Sequence, residues 1–351
     1  MSGTPLIWAL TGARRGDNAQ VLALARAAHE RTGARVIEKP LRYNALRLLP
    51  NNLIPPSLAV LEKGRRAGVS APPWPDLVIG AGRRPVPVAR WITQRSGGRA
   101  RLVWLGRPRA PLALFDLVLT TAQYGLPEER NVIMLDLPPA AAPAAPEGLA
   151  RWREKFSALP GPLTAVLVGG GRWPVLFDAS DAARLGRMVE EERARLGGAW
   201  IVSTSPRTGQ RQARALHETL KKPGYFYYWR DGMEARDNPH RALLALADRF
   251  IVTADSASMI AEAVRTGRPV TVFPVRRAAL APRWRASSGL ARGLAASGWL
   301  SPPRDMAAFV ERLRRAGAVR LPGQGDDALK PGWREKGLDA ALARIEEMLK
   351  S

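Results

Sequence analysis

The alternation of short apolar runs with amphipathic helical segments constrains this chain most strongly, and its clearest instance lies late in the sequence. Phe250 to Thr253 is uniformly apolar and β-branched, which predicts a strand buried on both faces of a parallel sheet. A helix follows, which Asp255 or Ser256 can cap and Gly267 can end. A second buried strand, Val270 to Phe273, completes a βαβ unit.

The same alternation runs through nearly the whole chain and predicts an α/β fold with two Rossmann-like domains, each built on a parallel sheet. Nine more strands are expected, at 6–10, 35–38, 76–80, 101–105, 115–120, 131–135, 163–168, 200–202 and 225–228. Prolines at high density make 138–147 the expected linker. The predicted domains are therefore 1–147 and 148–330, with a C-terminal helix in 331–351.

Composition limits the chemistry that the chain can carry. It has 351 residues, enough for two cores, and its 46% hydrophobic and 24% charged residues are ordinary globular values. The absence of cysteine excludes disulfides, thiolate metal sites and a cysteine nucleophile. Three scattered histidines give no zinc-binding pattern. We expect neither a metal nor a cofactor.

The charge of the chain predicts anionic partners. A formal net charge of +23 attracts nucleic acid, phosphorylated small molecules or anionic lipid headgroups. No nucleic-acid-binding module accompanies this charge, so we expect no nucleic-acid partner. No apolar run reaches the length of a membrane span, and 1–7 lacks the pattern of a signal peptide. These features predict a cytoplasmic protein that can rest on the inner face of an anionic membrane.

In the second domain, small and polar residues follow the predicted strands. Free amides at a helix start favour phosphate, and a glutamate one turn further along can accept hydrogen bonds from ribose hydroxyls. The candidate nucleotide-binding residues are Gly169, Gly170, Ser205, Arg207, Asp255, Ser256, Ser258 and Glu262. The alternative is purely structural: a tight glycine turn, an arginine in solvent, and a capped helix with a solvated glutamate.

In the first domain, three predicted strands each end in a glycine followed by two arginines. The arginines are Arg14 and Arg15, Arg83 and Arg84, and Arg107 and Arg109. Parallel strands open their carboxyl ends on one side, so these guanidinium groups can converge on an anion. The candidate anion-binding residues are Arg14, Arg15, Gly82, Arg83, Arg84 and Arg107. The alternative is that arginine is abundant throughout the chain and follows genome composition.

Short motifs along the chain carry a family resemblance. They are Thr11-Gly12 with Gly16-Asp17 and Gln20, Gly80 to Arg84 with Pro87 to Ala89, Gly106 to Pro108, Val168 to Gly170, Ser205 with Arg207-Thr208, Asn238-Pro239, and Val252 to Ser256 with Met259, Glu262 and Thr266-Gly267. With these motifs the chain resembles glycosyltransferases of the GT-B architecture. It looks closest to the family of the plant mitochondrial-fission "elongated mitochondria" protein and its bacterial relatives.

The resemblance implies a function and a role for each domain. The second domain would hold a nucleotide-sugar donor, with the helix start at Ser256 to Ser258 on the diphosphate and Glu262 on the ribose. The first domain would take the acceptor, and for an inverting enzyme Asp17 is the candidate base that takes the proton of the acceptor hydroxyl. Helix dipole, amides and basic side chains would stabilise the leaving diphosphate without a metal. The simpler role for Asp17 is a helix cap.

Three functions compete at this point. The first is a glycosyltransferase that acts on a cell-envelope or lipid-linked acceptor, with its basic surface on an anionic membrane. The second is a non-catalytic, membrane-associated adaptor that keeps the fold. The third, a nucleic-acid binder, is weaker because the basic residues follow sheet edges and form no continuous stripe.

Overall fold

The computed structural model describes residues 4–140, 148–171, 173–230, 237–279, 289–301 and 303–350, except the side chains of 291 and 292. The described chain forms two compact units. Of the described residues, the first contains 4–140, 289–301, 303–305 and 335–350, and the second contains 148–171, 173–230, 237–279 and 306–334. The sequence prediction drew each domain as one continuous segment, whereas the chain returns twice to the first unit. Most of the predicted linker, 141–147, lies outside the described residues.

The first unit is built on six parallel strands. Their order is β2-β1-β3-β4-β5-β6, so the direction of strand addition reverses between β1 and β3. The strands are β1 (Leu6–Thr11), β2 (Arg35–Pro40), β3 (Leu77–Ala81), β4 (Arg101–Leu105), β5 (Leu117–Thr121) and β6 (Val132–Leu135). The helices are α1 (Arg15–Thr32), α2 (Val86–Arg95), α8 (Gly289–Ala296) and α10 (Leu338–Lys350). Ligands of such sheets bind outside the carboxyl ends at the reversal.

Alternate residues of these strands fill two cores, one on each face of the sheet. Trp8 and Trp104 lie on one face, and Ala296 of α8 packs against their cluster. Ile7 and Ile79 lie on the other face, in one cluster with Ile345 of α10. The apolar stripe of the C-terminal helix is therefore buried against the first sheet, and this explains why 335–350 belongs to the first unit.

The second unit is built on five parallel strands in the order β10-β9-β7-β11-β12. Its strands are β7 (Leu163–Val168), β9 (Ala199–Thr204), β10 (Gly224–Tyr227), β11 (Arg249–Thr253) and β12 (Val270–Phe273), with a short antiparallel pair, β8 (Val175–Leu176) and β13 (Arg276–Arg277). Its helices are α3 (Leu149–Phe156), α4 (Ala179–Leu196), α5 (Gln210–Thr219), α6 (His240–Leu246), α7 (Ala257–Arg265) and α9 (Met306–Arg315).

This order is that of the Rossmann fold, with its reversal between β7 and β11. The predicted βαβ unit is confirmed as β11, α7 and β12. The predicted fold class, α/β with two Rossmann-like parallel-sheet domains, is confirmed as well.

We expect Ile345→Ala to lower the free energy of unfolding by about 2–5 kcal/mol, because it opens a cavity in the core beneath α10. Arg344→Ala is the matched control, since the Arg344 side chain is 58% exposed and its ion pair with Glu347 is a surface pair. Urea unfolding followed by tryptophan fluorescence measures both variants. Equal stabilities for the two variants would contradict the packing of α10 in the first core.

Candidate functional site

Thr253, at the end of β11, joins two loops at the reversal of the second sheet. β7 and β11 are parallel neighbours, so the loops that follow them lie side by side. The Gly169 amide donates to Thr253 Oγ1 at 2.8 Å, and Thr253 Oγ1 donates to Asp255 Oδ1 at 2.7 Å. The glycine loop and the start of α7 are thereby held together.

Asp255 is a buried carboxylate that pairs with Arg207. Its side chain is 1% exposed, and Arg207 Nη2 lies 2.9 Å from Asp255 Oδ2. Burial raises the pKa of Asp255, while the Thr253 hydrogen bond and the Arg207 charge oppose that rise. Arg207 is about one-third exposed, so it compensates the buried charge and still reaches the surface.

Ser205 and Thr208 bring a third loop, the one after β9, to the same place. The Ser205 hydroxyl donates to the Gly169 carbonyl, and Thr208 Oγ1 donates to that carbonyl at 2.6 Å. The Ser205 amide in turn donates to Thr208 Oγ1 at 3.0 Å. The Ser205 hydroxyl, expected to contact a ligand, is therefore engaged in holding the glycine loop.

Gly169 and Gly170 allow these three loops to approach closely. A Cβ added at Gly169 would collide with the Asp255 carboxylate, and one at Gly170 would collide with the Arg207 carbonyl. Gly170 also has φ 141°, a conformation that other residues rarely adopt. Close packing of the three loops is therefore one reason for glycine at both positions.

The start of α7 lacks a side-chain cap within the described residues. Ser256 occupies the N-cap position, but its side chain makes no capping hydrogen bond. Its hydroxyl lies 3.3 Å from that of Ser258, which is exposed. The amides of 257–259 have no acceptor within their own helix, because the first turn of an α-helix offers none. This end of the helix dipole favours an anion.

Glu262 lies one turn along α7 on the same side as Ser258. Its side chain is 42% exposed, and Oε2 lies 2.8 Å from His240 Nε2. His240 is the first residue of α6, and its amide donates to Asn238 Oδ1 at 2.9 Å. Sequence reasoning weighed the histidines only as metal ligands and missed His240. The Asn238-Pro239 cap was the available signal that a helix begins there.

In the first unit, the loop after β1 is held by Asn18 and not by Asp17. Asn18 Oδ1 accepts from the Gly12 amide at 2.8 Å, and Asn18 Nδ2 donates to the Gly12 carbonyl at 2.7 Å. α1 already begins at Arg15, so the cap interpretation of Asp17 is wrong. The Asp17 carboxylate lies 3.8 Å from Arg14 Nη1 and close to Gly82, which follows β3. It thus stands at the reversal of the first sheet.

Several arginines gather at this reversal and are called the arginine cluster below. Burial lowers the pKa of Arg83, Arg84 and Arg109, and the positive charges of neighbouring arginines lower it further. Burial and the charge of Arg109 lower the pKa of Arg107 to about 10, so it stays protonated at neutral pH. The cluster linked by these effects is Arg14, Arg47, Arg83, Arg84, Arg107, Arg109 and Arg304.

The structure brings together five of the six arginines that follow the three strands. Arg15 is exposed on the first turn of α1 and, among the described residues, has no part in lowering the pKa of Arg83, Arg84 or Arg109. Arg47 and Arg304 were not predicted, because they come from segments distant in sequence. Arg109 has φ 53°, unusual for a residue with a side chain. Such strain is found mostly at functional sites.

Buried polar contacts hold the loops of the arginine cluster. The Asn51 side chain is buried and donates to the Arg83 carbonyl at 2.9 Å and to the Pro108 carbonyl at 3.0 Å. Trp104 Nε1 donates to the Gly82 carbonyl at 2.7 Å. Arg83 Nη2 donates to the Arg47 carbonyl at 2.9 Å. These bonds hold the loops in place although the like charges that the loops carry repel each other.

No described helix combines the length and apolarity that a membrane span requires. Within the same residues, no three His, Asp or Glu side chains are grouped closely enough to ligate a metal.

Two Rossmann-like units, each with loops assembled at the reversal of a parallel sheet, define a GT-B-like protein. The fold resembles that of UDP-GlcNAc 2-epimerase from Methanocaldococcus jannaschii, with a TM-score of 0.52, 12% identity and 98% of each chain covered.

Residues 15–339 match the family described as "Mitochondrial fission ELM1", and the chain belongs to this family. It is 28% identical to "Mitochondrial fission protein ELM1" of Arabidopsis thaliana over 70% of its length, and the match spans 65% of the plant protein. It is 23% identical to "Uncharacterized protein RP120" of Rickettsia prowazekii (strain Madrid E), with 76% of this chain and 82% of that protein covered. The predicted family is confirmed.

We expect Gly169→Ala to lower the free energy of unfolding by about 1–3 kcal/mol, because the new methyl group collides with the Asp255 carboxylate. Asp255→Ala removes that carboxylate, so the same glycine substitution should cost at least about 1 kcal/mol less in this background. Urea unfolding of the two single variants and the double variant measures the coupling. Strictly additive costs would contradict the contact.

We expect inorganic phosphate to raise the melting temperature of the wild type by binding the arginine cluster. Arg84→Gln with Arg109→Gln should weaken this response, while the melting temperature without phosphate stays equal or rises, because like-charge repulsion falls. Arg35→Gln with Arg344→Gln removes two exposed arginines elsewhere and is the control. An equal rise in melting temperature with phosphate in all three proteins would contradict a specific anion-binding site at the arginine cluster.

Proposed function

We propose that the protein is a glycosyltransferase that moves a sugar from a nucleotide-sugar donor to an anionic or lipid-linked acceptor without using a metal. The observation that carries the proposal is the open start of α7, with an exposed glutamate one turn further along the same side. Amides at a helix start suit phosphate, and a carboxylate one turn further along can accept hydrogen bonds from ribose hydroxyls.

The donor would bind along α7 in the second unit. The diphosphate would accept hydrogen bonds from the amides of 257–259 and from the Ser258 hydroxyl. The ribose hydroxyls would donate to Glu262, which His240 orients through the 2.8 Å contact. The exposed part of Arg207 would add positive charge beside the phosphates. Gly169, Gly170, Ser205 and Asp255 would support this site by fixing its loops.

Transfer would follow from these groups. The acceptor oxygen would form a bond to the anomeric carbon of the sugar while the bond from that carbon to the diphosphate breaks. The electron pair would leave on the nucleoside diphosphate, which the dipole and amides of α7 stabilise. The proton of the acceptor hydroxyl would pass to a carboxylate, and Asp17 is our candidate for this base.

The acceptor would bind the arginine cluster of the first unit. Its guanidinium groups suit a phosphate or carboxylate, and Arg14, Arg83, Arg84 and Arg107 are the sequence-predicted members. A transferase needs such a second substrate site, whereas an epimerase works on the nucleotide sugar itself. This argument favours transfer over epimerisation, although the similar archaeal structure is named as an epimerase.

A non-catalytic, membrane-associated adaptor that keeps the GT-B fold is the second candidate. Two observations favour it. The loops that carry Ser205, Gly169, Gly170 and Asp255 contact one another, so these residues have a structural role without a ligand. The plant relative is named for mitochondrial fission and not for a reaction. An adaptor of this kind would need no nucleotide. For either function we expect the protein to work on the cytoplasmic side of a membrane.

Calorimetric titration with nucleoside diphosphates tests the donor site. The similar archaeal protein is named for a UDP-sugar, UDP-GlcNAc, so UDP is the first ligand to use. We expect Glu262→Ala to weaken UDP binding by about tenfold or more, because hydrogen bonds to a charged acceptor are lost. The wild type should also prefer UDP over 2′-deoxy-UDP, and the variant should lose that preference.

Glu191→Ala is the matched control, since Glu191 is an exposed glutamate of α4 in the same unit. It should bind UDP like the wild type. Failure of the wild type to bind any nucleoside diphosphate would overturn the transferase proposal and favour the adaptor. Binding that Glu262→Ala leaves unchanged would move the nucleotide away from α7.

A further inference from the structure

Two segments of the first unit expose large apolar side chains. One is 45–54, which includes two short 3₁₀ helices, and the other is α8 with the residues after it. Leu48 is 65% exposed and Trp299 is 61% exposed. These side chains, called the apolar strip below, are Leu46, Leu48, Leu49, Leu53, Leu290, Leu294 and Trp299.

The two segments lie side by side on one surface. Asn52 Nδ2 donates to the Ser297 carbonyl at 3.2 Å. Leu53 directly follows Asn52, and Trp299 lies two residues after Ser297, so this bond brings their backbones close together. Ala296 also packs against the core that contains Ile54. The exposed apolar side chains of the strip therefore lie on two neighbouring segments of the first unit. Large apolar side chains exposed in a group often mark a binding site.

The arginine cluster borders the strip. Arg47 lies within the first segment, and its carbonyl accepts a hydrogen bond from Arg83 at 2.9 Å. Arg107 Nη1 donates to Ser301 Oγ at 3.0 Å, at the end of the second segment. Neither 45–54 nor 289–301 contains an aspartate or a glutamate. The surface thus combines exposed leucine and tryptophan with positive charge and lacks acidic residues in both segments.

We propose that the apolar strip and the arginine cluster bind the surface of an anionic lipid bilayer. Leucine side chains can enter the boundary between headgroups and acyl chains, and tryptophan favours that depth. Arginines beside them attract anionic headgroups. A protein partner of ordinary surface composition would not present negative charge at the density of an anionic bilayer. This docking surface does not require sugar transfer, so it holds for the transferase and for the adaptor alike.

Sedimentation of the full chain with lipid vesicles tests this surface. We expect the wild type to bind vesicles of equimolar phosphatidylglycerol and phosphatidylcholine at least about tenfold more tightly than vesicles of phosphatidylcholine alone. Leu48→Ser with Trp299→Ser should weaken binding to the anionic vesicles by at least about tenfold, because buried apolar area is lost. Both side chains are exposed, so the fold should persist, and circular dichroism checks it.

Trp173→Ser with Leu176→Ser is the matched control. Trp173 is 66% exposed and Leu176 is 39% exposed, and both lie in the second unit. This variant should bind like the wild type. UDP titration of the strip variant should be unchanged, which separates failure of this surface from failure of the donor site.

Several results would overturn the proposal. They are no binding of the wild type to anionic vesicles, equal binding to both vesicle types, or equal loss in the strip and control variants. A dimer that the strip variant abolishes, with vesicle binding unchanged, would assign the strip to self-association instead.

Discussion

The buried carboxylate of Asp255 organises the candidate donor site. It is reached by Thr253 from β11 and by Arg207 from the loop after β9, and it lies against Gly169 from the loop after β7. A buried charge requires such partners, since burial without them is strongly unfavourable. The interaction fixes three loops at the reversal of the sheet and leaves the first amides of α7 without a side-chain cap. The nucleotide proposal depends on that open helix start.

The first unit is organised by the opposite electrostatic situation. Its arginine cluster brings seven positive groups together, and Arg14 pairs there with Asp17. Repulsion among these groups opposes folding, yet Asn51 and Trp104 hold their loops in place. An arrangement that costs stability without serving the core is typical of a functional site. An anion would relieve the repulsion, and a bilayer with anionic headgroups would do the same for arginines at the edge of the apolar strip.

Local patterns predicted the parts of the structure that local forces determine. The apolar runs and the Gly267 stop signal sufficed for β11, α7 and β12. The apolar stripe of α10 predicted that one face of the helix is buried. The stripe could not predict that this face packs against the first sheet. At the site, Arg14, Arg83, Arg84 and Arg107 followed from strand ends in a parallel sheet. Arg47, Arg304 and Asn51 reach the arginine cluster, and His240 reaches Glu262, through contacts between separate segments that no periodicity encodes.

The central claim is that the start of α7 binds the diphosphate of a nucleotide. Hydrogen–deuterium exchange of the full chain, with UDP and with uridine, tests it most directly. We expect UDP to slow the exchange of the amides at 257–259, and uridine, which lacks the diphosphate, to leave them unchanged. Protection of these amides by both ligands, or by neither while UDP is bound, would contradict the account.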